Sequence, residues 1–507
     1  MLETAALFGD GMVIQRDKPV WIWGTAGAGA SVRAVMQNRT AECTADGNGL
    51  WRLRCGPFRA SASEEMILSS GGETLRIRDV AVGEVWLAGG QSNMEFAMRF
   101  DRGLEAEKGK SCEDIRFFDY PKVSYPGQIR EADYGACYGF WRKDEPDQLE
   151  RFSAVGYYFA RKLYERYRVP VGIIGCNWGG SPACAWMPKD AVAEAGQAWL
   201  DDYQKTVNSL DIEAYGRAFR QNPANFHTDW FAEPMYDILQ IGYSSAEIRE
   251  KAAALGLGET LEPAVIGPLH EWRPTGLYES MLTQVAPYTV RGVLWYQGEA
   301  DDAKAELYDK VFPALIRSWR QLWQEELPFL FVQLAPFRQW LGCTGERYPE
   351  IRAAQQWTAD HVSRTAMAVI TDAGMEWDIH PKNKRPVGER LALLAEHYVY
   401  GEDILCEAPR MRRIAVDRSR ISIDFDYAGD GLILDGPIVN ALEIDQNGRL
   451  VPVTRCDAEG SRVTVYADGI SPAARTEVRL AWTDYYEVNL RNSAGIPARP
   501  GIMRSCP

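Results

Sequence analysis

The sequence has little of what several classes of protein require. It contains five histidines in 507 residues, and its ten cysteines form no CxxC pair and show no metal-ligand spacing. No basic block offsets the net charge of −14, which argues against a nucleic-acid or anionic-membrane partner. No apolar run approaches the length of a membrane span. We therefore expect no metal, no cofactor and no membrane or nucleic-acid partner.

The aromatic content and the start of the chain bear on the class of protein. The sequence has 17 tryptophans and 23 tyrosines, whose rings often stack on sugars, although any single one more commonly fills a core. The first residues lack the basic and long apolar segments of a signal peptide. Because the scattered cysteines are typical of reduced thiols, we expect a cytoplasmic protein. A chain of this length should form two to four domains.

Three segments of the chain differ in pattern. Residues 1–80 form short, partly alternating runs between polar or glycine-rich turns, which predicts an N-terminal β-sandwich-like module. Residues 81–402 alternate strands with helices, which predicts a catalytic domain around a parallel sheet. Residues 403–507 return to strands and predict a C-terminal β module. A polar, aromatic insertion at about 190–275 could shape a substrate cleft, support the fold or contact another subunit.

The stretch around Ser92 organises the central segment. An apolar run, Val85–Ala88, ends in Gly89 and Gly90, and a helix can begin shortly afterwards. A sharp strand-to-helix turn of this kind can hold a serine hydroxyl exposed beside outward-pointing backbone N–H groups. Ser92 is therefore a candidate nucleophile. The alternative is that Ser92 only caps the helix, which is the commoner role for a serine at such a turn.

Polar side chains follow the carboxyl ends of the predicted strands, where chemistry gathers in parallel sheets. The five predicted strands are 84–90, 171–176, 292–296, 329–334 and 367–371. Gly180 follows the second strand, Gln297 the third, and Asp378 and His380 the last. A serine and a histidine that meet at one edge satisfy the requirement of nucleophilic catalysis. Backbone N–H groups of Ser92 and Gly180, with the Gln297 carboxamide, would supply donors to a tetrahedral oxyanion.

Four blocks of the sequence carry a family resemblance. They are Gly90–Met94, Asn177–Gly180, Trp295–Glu299 and Asp378–Pro381, with two further similar stretches at Leu7–Arg16 and Leu277–Leu282. These blocks resemble the sialate O-acetylesterase family, a branch of the SGNH hydrolases. The resemblance implies serine-dependent removal of O-acetyl groups from sugars, without a metal. The implied fold is a flavodoxin-like α/β/α core, an SGNH hydrolase core with a five-stranded parallel sheet, here flanked by β modules.

The resemblance also implies roles for particular residues. Ser92 would be the nucleophile and His380 the general base, while Ser92, Gly180 and Gln297 would form the oxyanion hole. SGNH enzymes generally place the aspartate of the triad three residues before the histidine, and this chain departs from that pattern because it has Trp377 there. Asp378 matches the family's own block and is the predicted third member.

Other carboxylates and neighbours leave alternatives open. Glu376 or Asp372 could replace Asp378, or a Ser-His dyad could work without a carboxylate. Gln91, Asn93 and Glu299 could contact the substrate or support the catalytic groups. Asn93 could instead cap the helix, and Gln297 could only tie down its own loop. A second ionised carboxylate would oppose a developing oxyanion, so Glu299 is more suited to orienting a neighbour than to acting as a base.

The expected substrate partner is an O-acetylated sugar. Sialic acid is the sugar that the family name implies, and acetylxylan or another acetylated glycan is the alternative within the same fold. Two rivals come from other classes of protein. A glycan-binding protein would share the aromatic content, and a retaining glycosidase could use Glu299 and Asp378 if their carboxyl groups lay about 5 Å apart. The sequence also allows a homo-oligomer.

Overall fold

The computed structural model describes residues 1–417 and 420–505, and the chain divides into two compact units. Unit 1 comprises Met1–Gln297, Lys310–Phe329 and Lys382–Gly388. Unit 2 comprises Gly298–Asp309, Leu330–Pro381 and Glu389–Pro507. Within the described residues, no helix combines the length and the apolar character that a membrane crossing requires.

The leading part of unit 1 is rich in strands, and most of them pair antiparallel, whereas Val13–Gln15 pairs parallel with Glu73–Gly90. Their bounds are Glu3–Thr4, Val13–Gln15, Val20–Thr25, Ser31–Met36, Arg39–Thr44, Leu50–Cys55 and Ser61–Ser70. In Leu50–Cys55 every second side chain is buried, so one face of the strand packs on a core. Val20–Thr25 pairs with this strand in antiparallel register. The strand-rich segment that the sequence predicted is therefore present.

One long strand, Glu73–Gly90, joins these strands to the α/β part of unit 1. Its first part pairs antiparallel with Ser61–Ser70. Its second part pairs parallel with Val171–Asn177 on one side and Gly292–Tyr296 on the other. The sequence predicted a strand that begins near Glu84, but the strand is 18 residues long and runs through both sheets.

Five strands of unit 1 lie side by side in the sheet that carries the candidate nucleophile. Their order is Trp141–Asp144, Cys112–Asp119, Val171–Asn177, Glu73–Gly90 and Gly292–Tyr296, and all but the first run parallel. The sequence did not predict Cys112–Asp119, because charged residues interrupt its apolar pattern. One of them, Arg116, is buried and donates to the backbone carbonyls of Gly11 and Asp79. Bonds of this kind allow a guanidinium to lie inside the fold.

Helices cover this sheet and form much of the insertion. The longer α-helices of unit 1 are Ala154–Tyr167, Lys189–Asn208, Ile212–Gln221, Pro234–Gln240 and Ser245–Ala254. The first begins where the sequence predicted, because the Ser153 side chain accepts the Gly156 N–H and so caps it. Two more helices, Tyr308–Trp323 and Arg385–Tyr398, include residues of both units.

Unit 2 contains a smaller α/β part. Strand Thr365–Ala368 is the sheet neighbour of Phe329–Val332, and helix Tyr348–His361 lies between them in sequence. Both strands are shorter than predicted, since 333–334 and 369–371 already belong to loops.

Unit 2 ends in a β module. Most of its strands form two four-stranded antiparallel sheets that share one apolar core, with Ile421 and Val465 from one sheet and Val478 and Leu480 from the other, and Ile433–Leu434 pairs separately with Leu490–Arg491. The coarse prediction, mixed α/β sheets with additional β modules, is confirmed. The flavodoxin-like core with five parallel strands stays a prediction.

Candidate active site

Ser92 lies on the turn that joins the long strand to a short helix. The strand ends at Gly90, which has a φ of +131°, and a Cβ there would lie 2.2 Å from the Tyr296 carbonyl oxygen. Only glycine fits this position. The helix Ser92–Glu95 follows, and its N-cap is Gln91. Ser92 is thus the first helical residue and is partly exposed, so the interpretation that Ser92 is the helix cap is wrong.

The backbone of the second block passes against Ser92. A Cβ built on Gly179 would lie 3.4 Å from the Ser92 Cβ, and the Gly179 N–H donates to Glu95 Oε2 at 2.8 Å. Gly180 follows with a φ of +68°, and a Cβ there would lie 2.5 Å from Cζ2 of Trp272. The first two blocks are therefore in contact, as two neighbouring strand ends require.

Gln297 links the third block to Ser181, the residue that directly follows the second block. Its side chain is fully buried, and its Nε2 donates to the Ser181 carbonyl at 3.2 Å. The Ser181 hydroxyl is itself fixed, since it donates to the Trp178 carbonyl and accepts from Trp186 Nε1. A carboxamide NH₂ carries two hydrogens, and the Ser181 carbonyl accepts one of them. Gln297 therefore holds a neighbouring loop rather than only its own.

Asn93 contacts a buried lysine and does not cap the helix. The Asn93 side chain is buried, and its Oδ1 accepts a hydrogen bond from Lys384 Nζ. Lys384 is also fully buried, with its ammonium 4.7 Å from the centroid of the Phe96 ring. Its backbone N–H donates to Asp101 Oδ2 at 2.7 Å. These bonds attach the 382–388 segment to the Ser92 turn within unit 1.

The structure contains a buried ion pair beside the second block that the sequence did not predict. Lys122 Nζ lies 3.4 Å from Glu95 Oε2 and donates to the carbonyl of Asn177 at 2.6 Å. The Asn177 side chain in turn donates to the Ala88 carbonyl. The lysine balances the charge that Glu95 places beside the Ser92 turn. Recognising Cys112–Asp119 as a strand would have drawn attention to Lys122, which follows its carboxyl end.

Asp378 and His380 form a tight, buried loop in unit 2. Their exposed fractions are 4% and 5%. The His380 backbone N–H donates to Asp378 Oδ1 at 2.8 Å, and the His380 Nδ1 lies 3.9 Å from the same oxygen. The Trp340 ring meets the imidazole edge-on, with ring centroids 5.2 Å apart. Because 3.9 Å exceeds a hydrogen-bond length, the role of Asp378 as the third triad member stays a prediction.

The two carboxylates that could replace Asp378 are engaged by arginines. Glu376 Oε1 lies 3.0 Å from Arg338 Nε. Asp372 accepts two hydrogen bonds from Arg390, at 2.5 and 2.7 Å. The bidentate contact holds Asp372 in a fixed orientation, and the single contact pairs Glu376 with Arg338. Asp378 stays the predicted third member of the triad.

Gln91 and Glu299 are both buried, at 3% and 7% exposure. The Gln91 N–H donates to the Tyr296 carbonyl at 3.0 Å, which connects the first and third blocks. Glu299 begins a helical segment in unit 2, after Gly298 with a φ of +142°. Their contact with substrate stays a prediction.

The predicted catalytic residues are divided between the units. Unit 1 holds Ser92, Gly180 and Gln297, and the contacts above bring their three blocks together. Unit 2 holds Asp378 and His380. The pairing of Ser92 with His380 stays a prediction. Among residues 1–417 and 420–505, no three histidine, cysteine, aspartate or glutamate side chains are grouped closely enough to hold a metal ion.

The insertion at about 190–275 contacts the second block within unit 1. The His227 ring meets the Trp178 ring edge-on, with centroids 5.3 Å apart. Trp272 Nε1 donates to the Gly179 carbonyl at 3.0 Å. These contacts place two residues of the insertion against the second block, and the role of the insertion in a substrate cleft stays a prediction.

Comparison with known proteins agrees with the resemblance found in the blocks. The model of the carbohydrate esterase, sialic acid-specific acetylesterase family matches residues 256–394. The sialate O-acetylesterase of Rattus norvegicus is 27% identical over 442 residues, which cover 80% of this chain and 74% of that protein. The sialate O-acetylesterase of Pongo abelii is 25% identical over 550 residues, which cover 98% and 92%.

A solved structure is similar along the whole chain. The crystal structure of a carbohydrate acetylesterase from Xanthomonas citri has a TM-score of 0.76 and 29% sequence identity, and covers 99% of both chains. The similarity thus includes the β modules as well as the α/β parts. Together with the family match, it confirms the predicted resemblance to the sialate O-acetylesterase family.

Proposed function

We propose that this chain is a carbohydrate O-acetylesterase whose nucleophile is Ser92. The position of Ser92 carries the proposal: it is a partly exposed hydroxyl residue at the carboxyl end of a central parallel strand, against the Gly179 backbone. Such a position is where α/β hydrolytic enzymes present a nucleophile. The family match and the relatives agree on hydrolysis of acetyl esters of sugars.

The proposed reaction has two stages. In the first, His380 takes the Ser92 hydroxyl proton while the oxygen attacks the acetyl carbonyl carbon, and the carbonyl π electrons move to its oxygen. Collapse of this tetrahedral species breaks the bond to the sugar oxygen, which leaves with the proton from His380. In the second, His380 takes a proton from water as the water attacks the acetyl-serine. Acetate leaves, and Ser92 regains its proton.

Three donors are proposed to stabilise the oxyanion. They are the backbone N–H groups of Ser92 and Gly180 and the carboxamide NH₂ of Gln297. All three residues lie in unit 1, on three blocks joined by hydrogen bonds or close packing. Donors fixed before the reaction stabilise the developing charge without reorganisation.

Asp378 is proposed to support His380 in two ways. Its hydrogen bond to the His380 N–H fixes the backbone of the loop. Its charge, 3.9 Å from the His380 Nδ1, favours the imidazolium that forms during each proton transfer. Both effects act in a buried loop, where water screens charges weakly.

The proposal extends to the core and the substrate. The fold that the resemblance implies, a flavodoxin-like core of SGNH type, is proposed around the four parallel strands of unit 1. An O-acetylated sialic acid is the first substrate to test, because the curated relatives are sialate O-acetylesterases. Acetylated xylan is the alternative within the same chemistry.

The test is acetate release from a panel of acetylated sugars by the wild type and two variants. Ser92→Ala and His380→Ala should each lose nearly all activity while the far-UV circular dichroism spectrum stays unchanged. Ser63→Ala and His361→Ala, which alter an exposed serine and an exposed histidine, are matched controls and should keep full activity. Wild-type turnover by Ser92→Ala or His380→Ala would remove the mechanism.

A further inference from the structure

The last part of the insertion makes two contacts with the glycine pair of the second block. The Trp272 indole N–H donates to the Gly179 carbonyl oxygen at 3.0 Å. The same ring closes the space beside Gly180, where a Cβ would lie 2.5 Å from Cζ2 and 3.2 Å from Nε1. One residue of the insertion therefore both binds and covers the Gly179–Gly180 peptide.

The geometry of that peptide connects Trp272 with the chemistry. The Gly179 carbonyl and the Gly180 N–H belong to one planar, trans peptide unit, so they point in opposite directions. A bond that fixes the direction of the carbonyl also fixes the direction of the N–H. The Gly180 N–H is a proposed oxyanion donor, and its direction is thus set by Trp272.

The glycine pair needs such a restraint. Two adjacent glycines allow many backbone conformations, and a rotation of the peptide between them would replace the donor with a carbonyl oxygen. On the other side, the Gly179 N–H donates to Glu95 Oε2 at 2.8 Å, which fixes the preceding peptide. Trp272 supplies the second fixed point.

Trp272 is itself held in place. Its backbone N–H donates to His270 Nδ1 at 3.1 Å, and the two rings meet with centroids 5.1 Å apart. Its side chain is half-buried. The indole therefore lies in a defined orientation within unit 1.

We infer that Trp272 is a positioning residue, which holds the Gly179–Gly180 peptide so that the Gly180 N–H faces the oxyanion. The inference rests on the proposed function, since it requires that Gly180 donates to the transition state. It assigns to the insertion a role in catalysis through the backbone of the second block. Trp272 acts on the reaction only through this peptide.

The test compares two tryptophan-to-phenylalanine variants. Trp272→Phe keeps an aromatic ring but removes the N–H, so the peptide can rotate. We expect kcat to fall about 10- to 100-fold, below the 100- to 1000-fold that follows the loss of a whole donor. KM should change less than twofold, because the interaction strengthens only in the transition state.

Trp323→Phe is the matched control. Trp323 Nε1 donates to the Tyr288 carbonyl at 2.9 Å, which is the same kind of bond in the same unit. We expect a loss of thermal stability similar to that of Trp272→Phe, with kcat unchanged. If Trp272→Phe does not fold, Trp272→Tyr is measured in the same way.

The outcomes separate the inference from the proposed function. A folded Trp272 variant with wild-type kcat would overturn the inference, as would a fall in kcat that Trp323→Phe reproduces. If Ser92→Ala remained active, the proposed function itself would fail. If Ser92→Ala is inactive and Trp272→Phe is unchanged, only the inference fails.

Discussion

At the scale of single residues, the glycines and the glutamine of the site are each restricted by a specific contact. Gly180 adopts a φ of +68° against an indole ring, and Gln297 is fully buried with its amide on the Ser181 carbonyl. These restraints make both positions sensitive to substitution. They also give each substitution a different expected combination of effects on activity and stability.

We predict that Gln297→Ala lowers kcat by about 100- to 1000-fold, because it removes one donor to the oxyanion. Acetate release with saturation kinetics measures the effect. Gln128→Ala is the control, since Gln128 is also fully buried and also binds a loop carbonyl, that of Asn225 at 2.9 Å. An unchanged rate in Gln297→Ala would restrict that residue to a structural role.

We predict that Gly180→Ala loses activity and thermal stability together. Alanine at a φ of +68° costs about 1 to 2 kcal/mol, and its Cβ would also displace the Trp272 ring. Gly29→Ala is the control, because Gly29 has a φ of +73° with no atom near its Cβ position. That variant should lose only the backbone part of the stability. Equal activity in the two variants would contradict the placement of Gly180 in the site.

At the scale of elements, the long strand is fixed at its midpoint by a buried carboxylate. Glu84 is fully buried and is bonded to Arg291 at 2.7 Å and to Arg16 at 2.6 Å. Gln15 also donates to it. The similar stretch Leu7–Arg16 therefore has a structural role, because its last residues, Gln15 and Arg16, hold the strand that ends at Gly90, two residues before Ser92.

The charge of Glu84 makes this contact depend on pH. Burial raises the pKa of the Glu84 carboxyl, but the hydrogen bonds and charges of Arg291 and Arg16 outweigh burial and leave the pKa below its ordinary value. Because the folded pKa is lowered, the contribution to stability is complete above the unfolded pKa of about 4.3. It is lost as the pH falls through the folded value.

We predict that Glu84→Gln destabilises unit 1 by about 2 to 4 kcal/mol at neutral pH, since it leaves two arginines without their carboxylate. The difference from the wild type should shrink as the pH falls below about 4.3. Urea unfolding at several pH values measures both effects. Glu65→Gln, which removes an exposed pair with Arg76, should cost less than about 1 kcal/mol. A pH-independent difference would refute the account of this carboxylate.

Elements also show which parts of the fold the sequence could predict. Gly292–Tyr296 has the predicted bounds, because it is a buried run between clear turns. Cys112–Asp119 was missed because Arg116 is buried through long-range bonds to backbone carbonyls, which no local pattern reveals. Because that strand was missed, Lys122, which follows it, and its contact with Glu95 were missed as well. The inferred role of Trp272 could not be predicted from the sequence either, because its hydrogen-bond partner Gly179 lies far away in sequence.

At the scale of the whole molecule, the similarity to the Xanthomonas citri carbohydrate acetylesterase extends over 99% of the chain. The β modules are therefore part of the shared architecture rather than an addition peculiar to this chain. In unit 1, the leading strands continue directly into the sheet that carries Ser92. Removal of residues 1–80 would thus cut the long strand within its antiparallel part.

The central claim is that Ser92 carries the acetyl group during turnover, with His380 as its base. The most direct measurement is rapid acid quenching of the enzyme during hydrolysis of an acetyl ester, followed by peptide mass spectrometry. We predict the added mass of one acetyl group on the peptide that contains Ser92, and its absence in His380→Ala. An acetyl group on another residue, or equal acetylation of Ser92 in the His380→Ala variant, would contradict the account.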